Sequence, residues 1–429
     1  MEQLSPAIIQ AYTQILKEEL VPAMGCTEPI AIAYAASILQ HALGALPTEV
    51  RVGLSGNIIK NVKSVVVPAT GGMRGIEAAI AAGLIAGRPQ KRLEVLSVLS
   101  PDAPERIRAF LASTTPTVYE LDSTNAFEID LEGGNGNDRV RVHLVHRHTN
   151  VELVSRNGED ITRQYLPADC SSEREIQTDR RLLNVKSIVQ FADEAPLEEL
   201  MPLLRRQMEI NIAIAEEGLR NDYGACIGKL LYRGGECDLH NRAKAYAAAG
   251  SDARMSGCEL PVCILSGSGN QGITASVPVI IYAQEWKIPE ERLLRALLVS
   301  NLITIHQKTG IGCLSAYCGA ISAGCGSGCG ICYLQGGDYY QIAHTLVNAV
   351  AILSGTICDG AKPSCAAKIA MAVEAGIMGF EMMKSGHQFY GGDGIVTKGV
   401  ENTIENIGRL ARDGMSATDR EIIRIMLNE

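Results

Sequence analysis

The feature that most constrains this sequence is a stretch rich in glycine and cysteine, from Gly310 to Ala366. It holds seven of the 13 cysteines of the chain, namely Cys313, Cys318, Cys325, Cys329, Cys332, Cys358 and Cys365. Thiolates are preferred ligands of soft metal ions and iron–sulfur clusters, and glycines let the backbone come close to such a group. We therefore expect the chain to fold around a centre where several of these thiols meet.

Disulfide bonds are not expected to account for the cysteines. The N-terminal residues Met1–Pro6 carry no basic segment followed by an apolar run, so the sequence shows no signal peptide. We expect a cytoplasmic protein, and the cytoplasm keeps thiols reduced. The odd number of cysteines points the same way, which leaves metal binding, catalysis or burial as their roles.

Charge and hydropathy narrow the class of partner. The net charge of the 429-residue chain is −9, which disfavours nucleic acid and anionic membranes because both are negatively charged. Of two apolar segments, residues 260–284 are interrupted by a polar loop and residues 343–357 are too few to cross a bilayer. We expect neither nucleic acid nor a membrane as a partner.

The hydrophobic periodicity changes along the chain. Apolar residues recur at helical spacing near the N-terminus and from residue 182 onwards, whereas the intervening part alternates as short strands. Residues 170–181 are polar and charged, as in a linker. The pattern predicts an α+β fold in which a mainly helical body (residues 1–45 and 182–429) carries an inserted smaller α/β domain with a mixed sheet and the linker (residues 46–181).

Two details of the insert follow from the same pattern. Ile58–Val67 and Leu93–Leu99 are predicted as strands. The insert also contains His143, His146 and His148, which suggest a metal site. The first would point to the opposite face from the other two, and no further ligand lies nearby in sequence, so we predict a solvated strand face instead.

Cys26 is the most reactive thiol that the sequence predicts. Pro22 ends a first helical pattern, and Thr27 is a suitable N-cap for a second helix from Pro29. The dipole at a helix N-terminus lowers the pKa of a nearby thiol. Cys26 is therefore a candidate reactive thiolate; the alternative, which is the commoner case on these residues alone, is a small buried residue at a helix start.

A second candidate site is the loop Ser266–Gly272, which separates two apolar segments. Its hydroxyl and amide groups are suited to holding a carboxylate or an amino group. A dinucleotide site is the rival interpretation of its glycines, but no predicted strand and no acidic residue at the required offset support it. A structural kink is the other alternative, although polar groups buried without a role are costly.

The cysteines of the opening stretch fall into two groups. Cys325, Cys329 and Cys332 would share one face of a helix, which is typical of packing residues. A single CxxC is a weak zinc signal. By contrast, Cys313, Cys358 and Cys365 lie beside loops, where backbone N–H groups can support a cluster. Spacing alone leaves the choice of ligands open.

Five segments together resemble one protein family. They are Gly25-Cys26-Thr27-Glu28-Pro29, the Ser-Gly-Asn-Ile-Ile-Lys-Asn run from Ser55, the loop Ser266–Gly272, Gly312-Cys313, and the pair Cys358 and Cys365. The sequence resembles the L-cysteine desulfidase (CyuA/YhaM) family, which is related to the α-chain of the iron–sulfur L-serine dehydratases. The resemblance covers essentially the whole chain.

The resemblance implies a [4Fe–4S] cluster held by Cys313, Cys358 and Cys365, with one iron open to substrate. Cys26 matches the catalytic cysteine of the family. The remaining cysteines of the stretch have no place in this scheme and are expected to be structural; they are Cys318, Cys325, Cys329 and Cys332.

The substrate contacts follow from the same resemblance. The serine- and glycine-rich loop matches the substrate-binding loop of the dehydratases, so we expect contacts from Ser266, Ser268 and Asn270, together with Asn57 and Lys308. The substrate carboxylate needs a cation, and the sequence does not choose among the candidates Lys60, Arg74, Lys308 and Lys362.

The implied reaction is the β-elimination of L-cysteine to pyruvate, ammonia and hydrogen sulfide, without pyridoxal phosphate. An L-serine dehydratase is the alternative enzyme, because a hydroxyl can leave from the same iron. The non-enzyme alternative is a redox or metal sensor that uses the cluster only as a signal, and a transporter with broken helices is disfavoured by the charged helices. We expect a homodimer.

Overall fold

The computed structural model of the protein describes residues 3–166, 178–233, 237–312 and 314–427. Over these residues the chain is mostly helical, with one mixed sheet of six strands and one antiparallel pair of strands. The prediction of a mainly helical α+β fold is confirmed.

The described residues form sixteen α-helices. They are α1 (Pro6–Glu19), α2 (Thr27–Leu43), α3 (Gly56–Val62), α4 (Gly75–Ala86), α5 (Ala103–Ser113), α6 (Val185–Glu194), α7 (Leu197–Arg220), α8 (Ile227–Tyr232), α9 (Leu239–Met255), α10 (Gly269–Glu285), α11 (Glu290–Ile311), α12 (Gly319–Leu334), α13 (Tyr339–Ile352), α14 (Cys365–Lys384), α15 (Val400–Arg409) and α16 (Ser416–Leu427). The strands are β1 (Pro22–Met24), β2 (Glu49–Leu54), β3 (Thr117–Glu120), β4 (Glu128–Gly134), β5 (Arg139–Val145), β6 (Val151–Arg156), β7 (Glu159–Asp160) and β8 (Pro261–Cys263).

The six-stranded sheet has the order β3-β2-β4-β5-β6-β7, and its strands lie within the predicted insert. β2 runs parallel to β3, and the other neighbours are antiparallel. The sheet packs on α2, where a Cβ at Gly133 would lie 3.1 Å from the side chain of Leu39. One continuous hydrophobic core joins the sheet to the helices, and a separate domain at residues 46–181 stays a prediction.

Two strand predictions in this part are wrong. The segment Ile58–Val67 contains α3, and Leu93–Leu99 lies largely in a 3₁₀ helix at Pro89–Val98. Ile58, Ile59 and Val62 are buried in α3. Tertiary burial therefore outweighs the β propensity of these branched side chains.

The central helix is α12, in which every residue from Ala320 to Leu334 is buried. Its glycines permit backbone contact with α14. A Cβ at Gly324 would lie 2.2 Å from the carbonyl oxygen of Ala372, and one at Gly328 would lie 2.3 Å from that of Gly376. Both contacts advance in the same direction, so α12 and α14 run parallel and their N-terminal ends lie side by side.

The same helix buries three cysteines, Cys325, Cys329 and Cys332. All three lie in the hydrophobic core that surrounds α12. The prediction that they share a helix as packing residues agrees with this burial.

A short strand pair positions the N-terminal turn. β1 pairs antiparallel with β8, with Pro22 opposite Cys263. The turn after β1 carries Cys26, and the chain after β8 leads into the loop Ser266–Gly272. Thr27 Oγ1 donates a hydrogen bond to the carbonyl oxygen of Gly267 at 2.9 Å, so two segments far apart in sequence meet here.

None of the helices in the described ranges combines the length and the apolar character needed to cross a bilayer.

Candidate active site

One cavity, of about 1520 Å³, is lined by the helical part of the chain, by the loop after β5 and by residues 90–94, Asn61 and Phe127 of the predicted insert. Its wall includes seven of the nine residues predicted for the site: Cys26, Ser266, Ser268, Asn270, Lys308, Cys358 and Cys365. Cys313 lies outside the described residues. Asn57 lies in α3 and is not among the described residues of the wall.

Three thiols meet on one side of the cavity and are termed the thiol cluster: Cys318, Cys358 and Cys365. An antiparallel bridge between Tyr317 and Ile357 holds the first two together. The N–H of Cys318 donates to the carbonyl of Thr356 at 2.9 Å, and the N–H of Cys358 donates to that of Ala316 at 2.6 Å. Cys318 is the N-cap of α12 and Cys365 begins α14, so the parallel packing of these helices brings in the third thiol.

The electrostatics of the thiol cluster favour a thiolate at Cys358. The Cys318 thiol donates a hydrogen bond that lowers the pKa of Cys358 against the opposing effect of burial, and the ammonium groups of Lys60 and Lys368 lower it further. The same hydrogen bond raises the pKa of Cys318, and burial raises the pKa of Cys365. Cys318 and Cys365 lie at helix N-termini, where free backbone N–H groups stabilise negative charge.

The donor type of the thiol cluster is the one that iron–sulfur clusters use, since these clusters are held by cysteine thiolates. Within the described ranges, no group of three or more His, Cys, Asp or Glu side chains is arranged to hold one metal ion. An iron–sulfur cluster is larger than an ion and spaces its cysteines, each on its own iron. Cys318, which the sequence interpretation left among the structural cysteines, is thus a candidate ligand. Its position at the start of a glycine-rich helix is the signal that could have identified it.

Cys26 faces the same cavity but is not the thiolate that the sequence predicted. It is itself the N-cap of α2, which begins at Thr27 rather than Pro29. Burial raises the pKa of its thiol, and the negative charge of Glu28 raises it further. Cys26 Sγ donates a hydrogen bond to Glu28 Oε2 at 3.3 Å. The predicted lowering by the helix dipole is wrong because lost solvation and a nearby carboxylate outweigh it.

Glu28 is a member of the site that the sequence interpretation missed. The residue is only 7% exposed, and Asn61 Nδ2 donates to its Oε1 at 3.0 Å. Burial acts to raise the pKa of this carboxyl. The nearby His148 and Arg254 and the hydrogen bonds from the backbone and from Cys26 outweigh burial and hold the pKa below its usual value. Its place in the Gly-Cys-Thr-Glu-Pro motif was the available signal.

His148 is a second missed member. The loop after β5 folds into the cavity, so this histidine does not lie on a solvated strand face, as was predicted. Its ring packs edge-on against Phe127 at 4.8 Å between centroids. Its Nε2 lies 4.0 Å from Glu28 Oε1. His143, in contrast, pairs with Glu128 at 3.0 Å, and His146 is exposed.

Arg254, near the end of α9, adds a buried guanidinium to the wall. Its Nε donates to the carbonyl oxygen of Gly25 at 3.0 Å. A Cβ at Gly269 would lie 2.4 Å from the same Nε. The glycine at the start of α10 therefore leaves the space that Arg254 occupies, which explains one glycine of the Ser266–Gly272 loop.

The other end of this loop supplies acceptors. Asn270 Oδ1 and Gln271 Oε1 are buried and have no hydrogen-bond partner among the described residues. Both residues belong to the first turn of α10 and to the cavity wall. Buried acceptors without partners are costly, so these oxygens are suited to a ligand that carries N–H donors.

The four cations proposed for a substrate carboxylate are now distinguishable. Lys308 lies on the described cavity wall. Lys60 pairs with Asp419, and Lys362 pairs with Asp359. Arg74 Nη1 donates to a backbone carbonyl in the preceding turn at 2.8 Å. Of the four, Lys308 alone is among the described residues of the cavity wall, where the unpredicted Arg254 also lies.

Known proteins similar to this chain cover nearly all of its length. Residues 90–424 match the model of the family described as serine dehydratase alpha chain. The chain is 56% identical over 420 residues to UPF0597 protein DSY1109 of Desulfitobacterium hafniense (strain Y51), which covers 98% of this chain and 97% of that protein. It is 46% identical over 425 residues to a UPF0597 protein of Treponema denticola, covering 98% of each. It is also 44% identical over 424 residues to UPF0597 protein FN1147 of Fusobacterium nucleatum, covering 97% of this chain and 99% of that protein.

Proposed function

Because the chain belongs to the serine dehydratase alpha chain family, we propose that it is an iron–sulfur-dependent lyase that converts L-cysteine to pyruvate, ammonia and hydrogen sulfide. The family suggests a lyase-type enzyme and is generally associated with iron–sulfur clusters. The cysteine specificity and the [4Fe–4S] type are our additions. The observation that supports a cluster-dependent lyase is that Cys26 and the thiol cluster share one cavity; the cysteine specificity and the cluster type rest on the resemblance of the sequence.

We propose Cys318, Cys358 and Cys365 as the ligands of this cluster. The support is the contact of the first two thiols and the nearness of the third at the start of α14. Cys313, to which the resemblance assigns the third ligand, remains the alternative. When bound, a cluster with one iron free of protein ligands supplies a Lewis acid that helps the β-substituent of the substrate to leave.

The rest of the cavity wall suits an amino acid. Arg254 and Lys308 provide the positive charge that a carboxylate requires. The unpartnered oxygens of Asn270 and Gln271 can accept hydrogen bonds from an ammonium group. Fixing both groups would limit the rotation of the substrate, which is how positioning lowers a barrier.

Cys26 is the proposed base. Once its own proton has left, the thiolate takes the proton from Cα of the substrate. The electron pair of that C–H bond forms the C=C bond, and the pair of the C–S bond leaves with sulfur. The aminoacrylate product then hydrolyses in water to pyruvate and ammonia. Because the thiol is protonated in the described state, its deprotonation is a necessary step.

The test is turnover by anaerobically reconstituted protein whose iron and sulfide have been quantified. Equal amounts of pyruvate and sulfide from L-cysteine are expected. Protein that carries a cluster but turns over neither amino acid, and whose absorbance does not change when they are added, would overturn the lyase assignment in favour of a sensor.

An L-serine dehydratase is the second candidate, and the description of the matched family favours it. The same wall would bind L-serine, with a hydroxyl in place of the thiol. Pyruvate from L-serine, with none from L-cysteine, would replace the first candidate by this one.

A further inference from the structure

The loop after β5 places an imidazole within the cavity that the proposed reaction does not yet use. The side chain of His148 is 14% exposed, and its Nε2 is buried with no hydrogen-bond partner among the described residues. A buried ring nitrogen without a partner is costly in a structure. A function in the reaction would account for the buried Nε2 of His148.

The surroundings of His148 connect it to the thiol of Cys26. Cys26 Sγ donates to Oε2 of Glu28 at 3.3 Å, and Nε2 of His148 lies 4.0 Å from Oε1 of the same carboxylate. The carboxylate thus stands between a thiol and an imidazole. The ring is held by Phe127 on one side and by the backbone at Gly267, where an added Cβ would lie 3.1 Å from Cε1.

The charges around the ring set its protonation. Burial lowers the pKa of His148; Glu28 acts to raise it, and Arg254 adds to the lowering. The imidazole is therefore neutral near pH 7 and can accept a proton. Glu28 keeps its charge, since its pKa is held below the usual value.

We propose that His148 accepts the proton of Cys26 through Glu28 and so generates the base for the elimination, an inference that rests on the proposed function. The S–H bond of Cys26 breaks and its electron pair stays on sulfur. The proton bonds to Oε2 of Glu28, and the carboxyl group then turns so that this O–H faces the ring and closes the 4.0 Å gap to Nε2. The O–H bond breaks as an N–H bond forms at Nε2, and the carboxylate is restored. The net charge of the three groups is the same before and after the transfer.

The proton balance closes over one turnover. The Cys26 thiolate takes the Cα proton and becomes a thiol again. The imidazolium of His148 gives its proton to the departing hydrosulfide ion, or to hydroxide if L-serine is the substrate. All three groups return to their starting states, and no oxidant or reductant is consumed.

The test compares His148→Gln with His143→Gln in reconstituted protein. His143 is a matched control because it also lies beside a glutamate, Glu128, but outside the described cavity wall. We expect His148→Gln to lower kcat by about 100-fold with little change in KM, as is typical for loss of a general acid or base. In wild type the rate should fall as the pH drops through the lowered pKa of His148, and the variant should lose this acid limb. The control should keep the rate and the pH profile.

Two further measurements separate a proton-transfer role from a structural one. Added imidazole should restore part of the rate of His148→Ala, since the shortened side chain leaves space beside Phe127. Alkylation of Cys26 by iodoacetamide near pH 7, followed by mass spectrometry, should be about tenfold slower in His148→Gln than in wild type, because less thiolate forms.

Equal alkylation rates would overturn the proposal. So would a loss of turnover that keeps the wild-type pH profile and is not restored by added imidazole. Wild-type protein inactive on both amino acids would instead refute the proposed function, and the alkylation comparison would still test His148.

Discussion

Lys60 and Asp419 form an ion pair in which Nζ lies 2.5 Å from Oδ1, and the lysine side chain is only 1% exposed. The pair ties the C-terminal helix α16 to α3. The same ammonium group is one of the charges that lower the pKa of Cys358 in the thiol cluster. A contact far along the chain from the cysteines therefore supports the site.

Asp419→Asn should lower the free energy of unfolding by roughly 3 kcal/mol, because removing one partner leaves a buried charge unpaired. Denaturant unfolding at pH 7 measures the change. Glu421→Gln on the same helix is the control, since its pair with Arg424 is more than half exposed on both sides, and such pairs contribute about 0–1 kcal/mol. Equal effects of the two substitutions would show that Lys60 is solvated despite its burial.

The ligand set gives a second prediction. Serine substitutions at Cys318, Cys358 and Cys365 should each remove most of the bound iron, because serine is a poor substitute for a thiolate ligand. Cys325→Ser, in the buried middle of α12, should retain the iron if the variant folds. Anaerobic iron analysis and the visible absorbance of the protein measure this directly.

Cys313→Ser separates the two proposed ligand sets. If Cys318 is the third ligand, the Cys313 variant keeps its iron and the Cys318 variant loses it. The opposite result would restore the set implied by the family resemblance.

The helical part of the fold was predictable because apolar residues recur at helical spacing from residue 182 onwards. α9 (Leu239–Met255) and α14 (Cys365–Lys384) are two of the helices that this part of the chain forms. The strand predictions failed at α3, where Ile58 and Ile59 are branched residues but pack as part of a helix. Local propensity is weaker than tertiary burial at such positions.

The site was predictable only where a local motif carries it. Cys26 and the Ser266–Gly272 loop stand out by composition, and both reach the cavity. His148 and Arg254 depend on contacts that no local pattern reveals, namely the inward fold of the loop after β5 and the position of the end of α9. Cys318 has a local signal at the start of a glycine-rich helix, but its place beside Cys365 depends on the parallel packing of α12 on α14. The state of the Cys26 thiol depends likewise on burial and on where the Glu28 carboxylate points.

Arg254 yields a third prediction, on substrate affinity. Arg254→Lys should raise KM for the amino acid by about tenfold, equivalent to ~1.4 kcal/mol, since an ammonium cannot reproduce two-point binding of a carboxylate. Gly269→Ala should have a similar effect, because its Cβ would lie 2.4 Å from Arg254 Nε and force the guanidinium to move. Steady-state kinetics with L-cysteine and L-serine measure both variants.

Gly386→Ala is a control for Gly269→Ala, since a Cβ at Gly386 meets no atom within 4 Å. Its positive φ of 76° predicts a stability loss without a change in KM. Unchanged KM in Arg254→Lys and Gly269→Ala would exclude Arg254 from substrate binding.

Asp252, in α9, gives a prediction on pH and stability. Its carboxyl is 1% exposed, Oδ2 accepts a hydrogen bond from the N–H of Gly228 at 2.9 Å, and burial raises its pKa from 3.8 to about 6. The folded state therefore binds this proton more tightly than the unfolded state, and stability is lost as pH rises from about 4 through 6.

Asp252→Asn keeps an acceptor for Gly228 but carries no charge. It should raise the free energy of unfolding by about 1–3 kcal/mol at pH 8 and change it little below pH 4. Thermal unfolding at both pH values, at matched cluster content, tests this.

Asp413→Asn, at an exposed pair with Arg412, should show no such pH-dependent gain. Destabilisation by Asp252→Asn at both pH values would mean that the charged carboxylate is needed where it lies.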